Sequence, residues 1–348
     1  MIHAVRTLLV RVALGAAIVL GLTAAPAGAD AAGPSDFRSE VTGLVPAAEG
    51  VTAEIRGGDS FLELTVEPGH TVVVEGYQGE PYLRFNPDGT IERNRLSQAT
   101  YLNDDRLGGG TIPEDALAAD ADTEPEWEPL AAGGRYAWHD HRVHWMTEAT
   151  PSVDRGERVG GAYDPWRVPL AVDGAKVEVQ GTLTYEATMT PVVWAVVAVA
   201  AAAALVWVGR TRSLRVGAVA LVVVAAVAAV VGRAEWASTP DGGGNPLLWV
   251  LALVALVAAA IAVPLATRTA GAVAALASVA ALSGWGIFRI QSLVKPVLPT
   301  DLPFTLDRAT IAVALGASVA TAYLALTTGA LSLPALEDDD DDDDADDA

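Results

Sequence analysis

Five long apolar runs crowd the chain after residue 190, at about 192–209, 214–232, 247–266, 270–288 and 309–331. Each is long enough to cross roughly 30 Å of hydrocarbon as a helix. Runs of this kind read as an α-helical membrane domain of five transmembrane helices over residues 191–331. The short connections predict its orientation. Arg210, Arg212 and Arg215 lie between the first two runs, and Arg268 lies between the third and fourth. Such arginines mark the cytoplasmic side. Loops 233–246 and 289–308 are then expected outside, and an odd number of spans puts the C-terminus inside. Trp194, Trp207, Trp236, Trp249 and Trp285 fall near predicted span ends, where aromatic belts form. The spans carry almost no ionisable residue away from their ends. They read as helices that anchor and pack through Ala and Gly, with a pore or carrier built on small residues as the alternative.

The N-terminus reads as an export signal over 1–29. Arg6 and Arg11 precede the apolar stretch Val12–Leu22, and Ala27-Gly28-Ala29 supplies a small-x-small cleavage site. An uncleaved first helix is the competing reading. Residues 30–36 form a leader rich in small residues. The tail 332–348 holds ten acids and no base, and is expected to be a solvated cytoplasmic segment.

Between these ends, residues 37–188 carry strand signals. Val51–Ile55, Phe61–Val66, Thr71–Glu75, Tyr82–Phe85 and Lys176–Tyr185 are apolar or alternating segments, separated by turns at Pro68-Gly69 and Asn86–Gly89. They predict an exported β-sandwich, with a long loop from Gly108 to Glu128. From Asp30 to Thr190 there are 29 acidic and 12 basic residues, which argues against a nucleic-acid partner. The chain has no cysteine, so disulfides, thiolate metal sites and Cys catalysis are excluded.

The chemistry-bearing side chains gather in Arg135-Tyr-Ala-Trp-His139-Asp140-His141-Arg142-Val-His144-Trp145-Met146. As a continuous strand, this string puts His139 and His141 on one face and His144 on the other, unless a bulge resets the phase. Two imidazoles at that spacing suit copper or zinc, with His144, His70 or Met146 completing the shell, Met189 a further exported thioether, and Asp140 or Glu148 orienting a ring. The plainer reading is a structural strand whose aromatics fill a core. No spacing suggests a nucleophile and base, so binding is expected rather than catalysis. The alternatives are a scaffold that docks another envelope protein and a component of a transport system.

The strings Glu75-Gly-Tyr-Gln-Gly-Glu-Pro-Tyr-Leu-Arg-Phe85, Tyr101-Leu-Asn103 and Tyr136-Ala-Trp-His-Asp-His-Arg-Val-His-Trp-Met146 together resemble a group of uncharacterised actinobacterial membrane proteins. The resemblance implies a signal peptide, an exported β domain and C-terminal spans. It implies no activity.

Overall fold

The computed structural model describes residues 32–104, 106–147, 149–210, 214–240 and 244–327. The expected signal peptide and acidic tail lie outside the described residues, as do Glu148, Arg212 and 328–331. An N-terminal β-sheet domain is followed by a helical region.

The β domain contains β1 (Phe37–Val45), β2 (Val51–Arg56), β3 (Phe61–Val66), β4 (Val72–Glu75), β5 (Pro81–Phe85), β6 (Thr90–Asn94), β7 (Trp127–Ala132), β8 (Arg135–Trp138), β9 (Glu157–Arg158), β10 (Trp166–Val172) and β11 (Ala175–Tyr185). One sheet runs β1-β11-β10-β4-β5-β6-β7, with β9 added on β11, and a smaller one runs β2-β3-β8. Both are antiparallel. Alternation explains the packing. Trp166, Val168 and Leu170 of β10 point inward, as do Val177, Val179 and Leu183 of β11, while their neighbours face out. Leu62, Leu64 and Trp138 of the smaller sheet join the same core. Gly181 sits opposite Trp166, and a Cβ there would strike the indole and the Glu40 carbonyl. The expected turn at Asn86–Gly89 forms, with Gly89 at φ 83° and its N–H donated to the Asn86 carbonyl. Between Gly108 and Glu128 the expected loop holds one helical turn, Glu114–Ala118.

The helices are α1 (Val192–Gly209), α2 (Leu214–Ser238), α3 (Leu247–Ala262), α4 (Thr269–Phe288) and α5 (Phe304–Thr327). All but α3 are long and apolar enough to cross a membrane, so this half has the composition of a membrane protein. The helix α3 has 16 residues and stops short of its expected end at 266. Pro264 has no N–H to continue the ladder, and the backbone tightens, with Leu265 bonded to Ala262. The helix α5 starts earlier than its apolar run, directly after Pro303, and takes in Asp307 and Arg308. Both side chains are buried and paired. Arg289 pairs with Asp307 at 2.7 Å and with Glu235, while Arg308 donates to the carbonyls of Ser292, Lys295 and Pro296. Trp285, expected in an aromatic belt, is instead fully buried. It donates its indole N–H to the Leu248 carbonyl at 2.6 Å.

The β domain is seated on the 289–303 connection. Ser35 and Val297 exchange two backbone hydrogen bonds of 3.0 and 3.1 Å, Lys295 pairs with Asp36 at 2.5 Å, and Arg56 pairs with Asp301 at 3.2 Å.

Candidate functional site

The strand expected to carry the histidines ends at Trp138, and residues 139–144 fold into a turn. Asp140 is the cause. Its fully buried carboxylate accepts the Arg142 backbone N–H at 3.1 Å, both arms of the Arg142 guanidinium at 2.7 Å each, and the Trp138 indole N–H at 2.9 Å. Val143 N–H closes the turn on the Asp140 carbonyl at 3.0 Å. Burial pushes the Asp140 carboxyl up, but the Arg142 charge and these donors outweigh it and hold it below the usual carboxylate range. Such bidentate Arg–carboxylate pairing fixes geometry as well as charge.

The turn brings His144 against His141 rather than onto an opposite face. Their rings meet edge-on, with centroids 5.6 Å apart. His141 also stacks on Tyr77 at 5.7 Å, and its backbone N–H donates to the Tyr77 hydroxyl. His139 stacks on Phe61 at 4.1 Å, with Nδ1 2.6 Å from the Ser60 carbonyl. Arg106 lies alongside, paired with buried Asp59 at 2.6 Å and bonded to the Ser60 hydroxyl. His144 is wholly buried, and its Nε2 has no hydrogen-bond partner among the described residues. Burial, then the Arg106 charge and the neighbouring imidazoles, push His144 down to about 3, so it is neutral at physiological pH.

The other expected ligands are placed elsewhere. His70 is bonded to Asp173, 2.8 Å away at the β10–β11 turn. Met146 is half-buried beyond the turn, where its backbone meets the Tyr163 hydroxyl. Asp140 serves Arg142 and Trp138. Among the described residues, no three His, Cys, Asp or Glu side chains stand in an arrangement that would hold a metal ion.

A cleft of about 550 Å³ opens beside this turn, with His139 on its wall. It lies where the edge strands β7 and β8 part, and its lower rim is Ala237, Thr239 and Pro240 at the end of α2. Arg56, Arg93 and Arg135 line it together with Glu63 and Asp104. Arg93 is held 3.4 Å from Glu128 and Arg135 3.9 Å from Glu63. Glu63 is buried, faces Ala137 across β3 and β8, and its Oε1 has no partner among the described residues. Burial and a hydrogen bond with Glu54 push its carboxyl up. In the sequence these residues are polar members of alternating strands. The pairing of β3 with β8 brings Glu63 near Arg135, and the larger sheet adds Arg93 from β6.

No protein-family model, curated protein or solved structure matches this chain.

Proposed function

We propose that the chain is a cell-envelope membrane protein whose β domain faces outside and binds a ligand rather than catalysing a reaction. In this reading the two sheets form a β-sandwich carried on five spans, and α3 is a short fifth span. The arginines at 210–215 and 268 and the export signal support the orientation. The observation that carries the binding role is the cleft of about 550 Å³ at the junction of domain and bundle. That is the size of a small-molecule site, and its wall mixes charged and polar groups with Phe61, Leu83 and Trp138. Filling it tests the role. A small molecule extracted from the purified full chain should be absent from Ala137→Trp. Equal content in both proteins would remove the cleft as the site and favour a docking or transport role.

The buried, unpartnered Nε2 of neutral His144 beside His141 favours a second reading, extracytoplasmic copper or zinc binding at the turn through these two imidazoles. Metal analysis of the purified chain and of His141→Ala tests it. Metal content that is absent, or unchanged by the substitution, would end that reading.

A further inference from the structure

The cleft does not end at the β domain. Ala237 on its rim also belongs to a groove on the bundle of about 540 Å³. That groove runs between α2 and α3 and is walled by Ala229, Val230, Leu253 and Trp249, with Arg233 at its outer end. Its surface is almost wholly apolar. Val230 is 68% exposed, so an acyl chain can lie against it. Two polar groups interrupt this surface. The exposed Arg233 guanidinium stacks over Trp236 at 4.2 Å. Trp249 Nε1 is buried and has no hydrogen-bond partner among the described residues, in a place where a donor in hydrocarbon is costly to leave unmade.

We infer that groove and cleft form one site for an anionic glycerophospholipid of the outer leaflet. The inference rests on the reading of the cleft as a binding site. The acyl chain lies on Ala229, Val230 and Leu253. An ester carbonyl accepts from Trp249 Nε1, and the phosphate meets Arg233. The headgroup passes Ala237 into the cleft, where Arg93 and Arg135 face it. Charge complementarity favours an anionic lipid. Among the described residues, Arg233 is the one charged residue that lines the groove, and the cleft sets three arginines against Glu63 and Asp104, whereas the domain as a whole is strongly acidic and repels an anion.

Native mass spectrometry of the full chain, titrated with phosphatidylglycerol or with phosphatidylcholine of the same acyl chains, tests the assignment. Phosphatidylglycerol should be retained roughly tenfold better, the size of one charge-assisted hydrogen bond. Arg233→Gln and the double change Arg93→Gln with Arg135→Gln should each reduce that preference, whereas Trp249→Phe should weaken retention of both lipids alike. Circular dichroism would confirm that all the variants stay folded. Equal retention of the two lipids by the parent chain would overturn the proposal, as would displacement of bound lipid by inorganic phosphate alone. If Ala137→Trp removes a co-purifying molecule while lipid preference is absent, the lipid assignment fails and the binding cleft stands. If Ala137→Trp removes nothing and no preference appears, both fail.

Discussion

The β domain and the helical bundle are packed with opposite kinds of side chain. The domain core is built on Trp166, Phe85, Leu62, Leu64, Leu83 and Ile91. The bundle core is built largely on alanines such as Ala225, Ala228, Ala252, Ala255 and Ala314. Solvent explains the difference. In water each Å² of apolar surface buried contributes about 25 cal/mol, so large side chains hold sheets together. Against lipid that gain vanishes, and helices associate by bringing backbones close. A Cβ on Gly232 would strike the Leu248 carbonyl, and one on Gly316 would strike the Ala198 carbonyl. The polar exceptions fall where the two halves meet. Arg289 pairs with Glu235 and Asp307, with Arg308 beside Asp307, at the end of the bundle that meets the connection seating the domain.

The comparison breaks if the two halves melt as one unit. Trp166→Ala leaves a large hole over Gly181, and such changes typically cost about 3–5 kcal/mol. Hydrogen exchange of the full chain in detergent should show β10 and β11 opening earlier while α2 and α5 keep their protection. Equal loss in both halves would mean that the bundle has no stability of its own. The reciprocal change is Gly232→Leu, which forces α2 away from α3. Overpacking of this kind costs about 1–3 kcal/mol. Exchange should rise in α2 and α3 and stay unchanged in β10 and β11. Tolerance of the leucine would show that small residues do not set that contact.

The same contrast explains what was legible in the sequence. Apolar runs announce helices in lipid because nothing else satisfies the backbone there, so the four long helices follow the predicted runs closely at most of their ends. The ends that moved were set by Pro264 and by a charge cluster, since Asp307 and Arg308 read as an end when their partners, Arg289 and the carbonyls of Ser292, Lys295 and Pro296, lie on another segment. Strand alternation was readable for the same local reason. The His-containing string was not, because one buried Asp140–Arg142 pair stopped the strand after Trp138 and turned His144 onto His141. A short string offers no local sign that an Asp will be buried. The cleft was illegible altogether, since Glu63 and Arg135 meet through the pairing of β3 with β8, and Arg93 reaches them from the other sheet.

Within the β domain, two histidines sharpen the contrast between buried and exposed polar groups. His144 is neutral when folded, held down to about 3 by burial first and then by Arg106. An unfolded chain takes up a proton near pH 6.5 and the folded one does not. Stability from this residue is therefore present above about pH 6.5 and falls as pH drops toward 3, by up to roughly 1.4 kcal/mol per pH unit. Denaturant midpoints between pH 4 and 7 should show a shallower slope in His144→Phe than in the parent. Identical slopes would mean that His144 is not buried neutral.

His70 should act with the opposite sign and a smaller effect. It lies at the surface, where a hydrogen bond donated to the Asp173 carboxylate raises its pKa above the ordinary imidazole value. A raised value means that the folded chain holds the proton more tightly than the unfolded one. The contribution is complete below about pH 6.5 and is lost as pH rises through the folded pKa. Asp173→Asn isolates it cleanly. Asp173 sits at φ 50°, a backbone conformation that Asn also adopts readily, and an Asn side-chain oxygen can still accept the Thr71 N–H that Asp173 takes at 2.8 Å. Only the charge opposite His70 is removed. Ring-proton titration by NMR should then place His70 lower in the variant, and the alkaline loss of stability should flatten. A variant with the parent's His70 titration would show that Asp173 positions the turn without holding a proton on the ring.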